Sequence, residues 1–107
     1  MVGTPVALDR NAHAVGEASA RPYIQRAMDN EKLLYENHIR PLMTGMSECE
    51  TLEELAGFYR GASHALRPVS AMPMSQKTLI DNIMHNYVDG IYEHLGIDNP
   101  YKQGRTA

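Results

Sequence analysis

Metal binding is the first chemistry that the sequence raises, because five of its 107 residues are histidines. His85 lies four residues after Asp81 and four before Asp89, so these three side chains share one flank of a predicted helix. A helix can offer a metal two ligands at this spacing, but nothing else in the sequence completes a recognisable set. The Glu-x-x-His pairs of di-iron bundles and the His-Glu-x-x-His motif are missing. We interpret the flank as a solvated polar face and predict no metal and no cofactor.

Nucleophilic catalysis also lacks a supporting pattern. Cys49 is the single thiol and stands between Glu48 and Glu50, whose charges raise a thiol pKa and weaken it as a nucleophile. Ser63 and His64 are adjacent, but no Gly-x-Ser-x-Gly turn surrounds them. The sequence has no glycine-rich phosphate-binding motif either. We therefore predict no catalytic residues and a protein that is not an enzyme.

The composition is typical of a small folded domain. Hydrophobic residues make up 43% and charged residues 21%, which is too apolar for a wholly disordered chain. One cysteine excludes an internal disulfide, and no run reaches the roughly 18 apolar residues of a membrane helix. A net charge of −3 gives no general electrostatic reason to bind nucleic acid. With no secretory signal pattern, we expect a cytoplasmic protein, or one in the host cytoplasm or virion if its source is viral.

Three segments follow from the distribution of apolar residues. Residues 1–21 are small and polar without a clear period, which predicts an N-terminal arm that is disordered or ordered by a partner, with a short helix over residues 9–18 as the lesser alternative. Residues 22–97 show helical periodicity and predict an all-α fold, a small three-helix bundle. Residues 98–107 are predicted to be a loose C-terminal tail.

The first two helices are predicted from prolines and a capping motif. Pro22 suits the first position of a helix, where its missing N–H has no consequence. Pro41 restricts the residue before it, so this helix should end or kink near Arg40. Thr51 followed three residues later by Glu54 is the pattern of a capping box and predicts the start of the second helix.

The third helix has the strongest periodicity in the sequence. Ser75 is predicted to be its N-cap, with Met74 and Leu79 forming a hydrophobic staple. Gly96 is the predicted left-handed stop. Its apolar face is wider than two short partner helices need, which favours a homo-oligomer or docking on another protein.

These features lead to one functional hypothesis with two alternatives. A non-enzymatic protein-interaction module, acting as an inhibitor, adaptor or assembly component through a helical surface and its N-terminal arm, is the leading interpretation. Methionine and tyrosine suit adaptable interfaces, and the sequence has seven and six of them. The residues predicted to form the interface are Val6, Leu8, Met72, Met74, Tyr87, Ile91 and Tyr92.

The alternatives are a small DNA-binding regulator and a structural subunit of a larger, virion-like assembly. The linker between the last two helices is long and carries two prolines, whereas a helix-turn-helix needs a turn of about 3–4 residues. Arg21, Arg26, Arg60 and Arg67 would form a basic patch only if the fold gathers them. In its general character, a short acidic helical chain without a catalytic signature, the sequence resembles small phage or mobile-element accessory proteins.

Overall fold

The chain folds into helices, which confirms the predicted all-α class. The structure, a computed structural model, describes residues 5–101. Its elements are α1 (Arg10–Asn30), α2 (Lys32–Leu34), a π-helical segment (Tyr35–Ile39), α3 (Arg40–Ser47), α4 (Leu52–Leu66) and α5 (Met74–Leu95). Within residues 5–101 there is no strand, and one isolated antiparallel bridge joins Ala7 to Thr51.

The antiparallel packing of α1 against α5 is the centre of the fold. The buried face of α1 consists of small residues only, namely Ala12, Gly16, Ala20 and Ala27. A Cβ placed on Gly16 would lie 3.0 Å from atoms of both Tyr87 and Ile91, and Gly90 of α5 faces Ser19 even more closely. The absence of side-chain bulk therefore lets the two helices approach, and the large apolar side chains of α5 fill the space beside α1.

The segment that the sequence predicts to be an arm is, from Arg10 onward, the first half of α1. Asp9 caps this helix by accepting a hydrogen bond from the Ala12 amide at 2.8 Å. Residues 5–9 precede the helix and pair with the chain before α4, where the Leu8 amide donates to Glu50 and the Leu52 amide donates to Val6. Alanines and glycines give a buried helix face little hydrophobic contrast, so the sequence favours an arm here over the alternative of a short helix at residues 9–18. The predicted arm at residues 1–4 lies outside the described residues.

This extra half-helix also accounts for the wide apolar face of α5. Tyr87 and Ile91, two of the predicted interface residues, pack against α1 around Gly16. The surplus face is therefore covered within one chain, and it no longer supports the prediction of a homo-oligomer.

Two prolines lie inside helical structure. Pro22 does not begin a helix, contrary to the prediction. Near Arg40, where an end or a kink was expected, the helix changes its geometry and continues. Pro22 lies in the middle of α1, at an exposed position where water can reach the carbonyl that loses its amide partner. The first break instead comes at Glu31, which leaves helical geometry at φ −136° and ψ 58°. Before Pro41 the helix widens, and the Arg40 amide bonds to the Tyr35 carbonyl five residues back. This wider turn accommodates a proline without ending the helix.

The predicted ends of the last two helices are partly confirmed. Thr51 and Glu54 form the capping box of α4, with Glu54 N donating to Thr51 Oγ1 at 3.1 Å. Gly96 ends α5 at φ 71°, as expected. The prediction of Ser75 as N-cap is wrong, because Pro73 occupies that position and Met74 begins the helix. Met74 is also 73% exposed, so it makes no buried staple with Leu79.

The chain stays packed on the helices through Tyr101, beyond the predicted end of the domain. Asn99 is buried, donates to Asp89 Oδ1 at 3.1 Å and accepts from the Tyr101 amide at 2.9 Å. These two bonds turn the segment back, so that the Tyr101 ring meets the Tyr59 ring edge to face with centroids 5.2 Å apart. In the part of the chain that the structure describes, no helix has the length and apolar character needed to cross a membrane.

Candidate functional site

A groove with a volume of about 680 Å³ lies between α4 and α5. This size lies within the range of ligand-binding sites in proteins. Its walls are the second half of α4 and the first half of α5, and Pro100 and Tyr101 close one side. Lys77 Nζ donates to the Arg67 carbonyl at 2.9 Å and so ties the beginning of α5 to the end of α4. We call this feature the α4–α5 groove.

The α4–α5 groove is basic in a protein that is acidic. Arg60, Arg67 and Lys77 line it, and Asp81 is its one acidic lining residue, so its formal charge is +2 while the whole chain carries −3. His64 also lines the groove. Both arginines are exposed. The groove therefore has a formal charge opposite in sign to the net charge of the protein, which favours anionic groups there.

Apolar side chains give the groove a second property. Leu66 and Met74 lie on its walls, and the paired Tyr59 and Tyr101 rings bound it towards the C-terminal segment. Met74 contributes the most accessible of these side chains, with 73% of its surface exposed. Apolar walls with charged groups at the edge are typical of sites that bind an amphipathic ligand.

One polar atom near the groove is poorly accommodated. Ser63 lines it, and Ser63 Oγ is buried without a hydrogen-bond partner among residues 5–101. An unpaired buried hydroxyl lowers the stability of the fold. A serine at this position of α4 therefore has no stabilising role in the described structure.

Several exposed apolar side chains are near, in sequence, to the neighbouring ends of α1 and α5. Gln76 of α5 donates to Glu31, which follows α1, at 3.2 Å, so these helix ends are neighbours. Leu33, 78% exposed, lies two residues after Glu31, and Met74 lies two residues before Gln76. Met28 and Val69, also exposed, belong to the same end. We call Met28, Leu33, Val69 and Met74 the apolar end.

The residues predicted to form the interface separate into two groups. Leu8, Tyr87, Ile91 and Tyr92 are buried in the chain's own core, between 0% and 8% exposed. Val6 and Met72 are partly buried against that core. Most of the Met74 side chain is therefore accessible to a partner, whereas Val6 and Met72 are accessible only in part. The structure brings Met74 together with the groove and leaves Val6 beside the first turn of α4, away from it.

Tyr87 belongs instead to a hydrogen-bonded connection between three parts of the core. His13 Nδ1 lies 2.7 Å from Tyr87 Oη, and His13 Nε2 lies 2.8 Å from the Cys49 carbonyl oxygen. Since a carbonyl only accepts, Nε2 carries a proton. Burial raises the pKa of Tyr87 well above its usual value, with smaller contributions from Glu17 and Cys49. These contacts join α1, α5 and the chain before α4, which is a structural role.

The Cys49 thiol and the polar flank of α5 belong to no metal-holding group in the part of the chain that the structure describes. Burial, followed by the Glu54 and Glu48 charges, raises the pKa of Cys49, in the direction that the sequence predicts. Its Sγ lies 3.5 Å from the Gly45 carbonyl oxygen. Among residues 5–101, no three histidine, cysteine or acidic side chains are grouped so as to hold a metal ion.

The cations of the groove follow a pattern that is visible in the sequence. Arg60, His64 and Arg67 are spaced four and three residues apart, which places them along one face of α4. The sequence alone suggests only a DNA-binding patch for such basic residues, and it assigns no role to this stripe. Lys77 and Tyr101 could not be added to it, because only the packing of α5 and the C-terminal segment brings them to the same groove.

Comparison with known proteins gives no function for this site. No protein-family model, curated protein or solved structure matches the chain at a significant level. Its functional interpretation therefore depends on the contacts and charges described above.

Proposed function

We propose that the protein is a non-enzymatic interaction module that binds a partner protein through the apolar end and the adjoining α4–α5 groove. One observation carries this proposal: Leu33 and Met74, 78% and 73% exposed, each lie two residues in sequence from a member of the Glu31–Gln76 hydrogen bond. Single exposed apolar residues are ordinary, but a group of them at one end of a small domain is typical of a binding surface. An inhibitor, an adaptor and an assembly component would all use such a surface.

The methionines add to this argument. Met28, Met72 and Met74 lie at or beside the apolar end, and a flexible thioether side chain can adapt to the shape of a partner. Leu33 supplies a more rigid anchor. Burying two such side chains at the centre of an interface contributes about 2 kcal/mol each, so losing either weakens binding roughly 30-fold.

Affinity capture from a lysate of the source organism tests the proposal, using protein with a C-terminal tag. The test variant is Leu33→Glu combined with Met74→Glu, since both side chains are largely exposed and their substitution leaves the core intact. The control is Ile97→Glu, which places one negative charge, against two in the test variant, on an exposed apolar residue beyond the other end of α5. Circular dichroism verifies that all three proteins are folded.

The expected result is one protein recovered at a fixed ratio by the wild type and by the Ile97→Glu control, and lost with the double variant. Recovery of the same proteins with all three baits contradicts the proposal, and so does recovery of none. Sedimentation of the purified protein then separates an adaptor from an assembly component, since only the latter forms a defined multimer on its own.

A further inference from the structure

We infer that the α4–α5 groove binds an acidic segment of the partner protein, with an aliphatic or aromatic side chain of that segment seated against the groove's apolar wall. The inference rests on the proposed function, because it specifies the chemistry of the partner at the same end of the molecule. It concerns a different set of residues, the cations of the groove, and so is tested separately.

The positive charges of the groove determine that its ligand is negatively charged. Arg60 and Arg67 are exposed. Neither belongs to the surface ion pairs found among residues 5–101, Arg21–Glu17 and Arg40–Glu36, which lie on other helices. Lys77 is held in place by its bond to the Arg67 carbonyl, which positions a third cation between the two helices. A guanidinium group forms bidentate hydrogen bonds with a carboxylate, so acidic side chains are suitable partners.

The apolar wall determines the rest of the ligand. Leu66, Met74 and the Tyr59–Tyr101 pair offer contacts that an ion alone would not use. A polypeptide that carries carboxylates and an apolar side chain within a few residues satisfies both properties of the groove. The phosphate chain of nucleic acid satisfies only the first, and the net charge of −3 repels a long polyanion.

Two occupants from the chain itself are unsuitable. Residues 102–107 follow Tyr101 in the sequence, but their charged side chains are Lys102 and Arg105, which have the same sign as the groove. The acidic segment at 48–54 of a second copy has the required charge. However, its Leu52 is buried in the core and its Glu54 is engaged in the capping box, so that segment offers no free apolar anchor.

Selection from a phage-displayed library of random dodecapeptides tests the inference on the full chain. We expect the enriched peptides to combine Asp or Glu with Leu, Met, Phe or Tyr. The test variant is Arg60→Glu with Arg67→Glu, at exposed positions in and just after α4. Lys77 is left unchanged because its substitution would also break the bond to the Arg67 carbonyl. The control, Arg10→Glu with Arg21→Glu, makes the same change of net charge at exposed positions of α1.

A selected peptide, labelled with fluorescein and measured by anisotropy, should bind the wild type and the control equally and the test variant at least about tenfold more weakly. Its binding to the wild type should also weaken as salt rises from about 50 to 300 mM, because the attracting groups are exposed. Enrichment of peptides without acidic residues, absence of enrichment, or equal binding to the test variant overturns the inference.

Two further outcomes identify a different occupant. Binding of a random-sequence DNA duplex that the test variant loses overturns the assignment to a protein segment. A dimer by sedimentation that the test variant dissociates assigns the groove to a second copy and likewise overturns it. If capture through the apolar end succeeds while the peptides show no acidic preference, this inference fails and the proposed function stands.

Discussion

Substitution of Gly90 by alanine is the sharpest test of the packing between α1 and α5. A Cβ at this position would lie 2.7 Å from Ser19 Cβ, and it would meet Ser19 Oγ still more closely. Rotation of the hydroxyl can relieve the second contact but not the first, because Ser19 Cβ is fixed to the backbone of α1. The two helices would therefore have to separate locally by roughly 1 Å to restore ordinary carbon–carbon contact.

The size of the effect follows from a matched glycine on α4. Alanine in place of glycine within a helix gains about 1 kcal/mol from backbone propensity alone. Gly61 is exposed, and a Cβ added there would meet no atom within 4 Å, so Gly61→Ala should show this gain in full. At Gly90 an overpacking cost of about 1–3 kcal/mol opposes the gain. Because propensity is common to both variants, their difference in unfolding free energy measures the overpacking itself.

Thermal and urea unfolding followed by circular dichroism would measure this difference. For a domain of this size each kcal/mol shifts Tm by about 4–8 °C, so Gly90→Ala should melt clearly below Gly61→Ala. In a Ser19→Gly background, which removes the opposing Cβ, the same Gly90→Ala change should cost less. If Gly90→Ala is as stable as Gly61→Ala, the close approach of α1 and α5 at this point is refuted.

The remaining predictions concern a cap, a hydroxyl and a pH dependence. Thr51→Ala should lower the free energy of unfolding by about 1 kcal/mol, because it removes the capping box of α4. Ser75 caps no helix, so Ser75→Ala should change the free energy of unfolding by about a few tenths of a kcal/mol at most. Urea titrations of the two variants measure both changes. Ser63→Ala should raise the melting temperature, because it removes a buried hydroxyl that lacks a partner among residues 5–101; an unchanged or lower value would contradict this. Since burial raises the pKa of Tyr87 in the folded state, the contribution of Tyr87 to stability should be complete below about pH 10, where the unfolded tyrosine keeps its proton, and should be lost as pH rises further. Tyr87→Phe should make that alkaline decline shallower in urea titrations at several pH values, and an unchanged slope would argue against the assignment.

The candidate site was only half visible in the sequence. Met74 was predicted as an interface residue because it is a methionine in a linker, and it does line the groove. The stripe of Arg60, His64 and Arg67 can be read from helical spacing. Tyr101 could not be associated with them, because its position depends on a turn held by Asn99, whose partner Asp89 is ten residues away on α5.

Local sequence by itself determined the helix class, the start of α4 and the end of α5. Each of these depends on residues within one or two turns: the period of apolar side chains, the hydroxyl and carboxylate of Thr51 and Glu54, and a glycine at position 96 that adopts φ 71° without a Cβ clash. Interactions of this range are formed by the segment alone, so they can be recognised without knowing the fold.

Tertiary structure decided what the first third of the chain does and which apolar residues face solvent. The small residues of α1 give no hydrophobic signal, and the helix gains its stability by fitting closely against Tyr87 and Ile91. That contact buries two residues predicted to meet a partner, while Leu33 and Met74 remain exposed because no other helix passes over them within residues 5–101. Which apolar side chains are left for a partner depends on how the whole chain packs, and this information is not contained in any single segment.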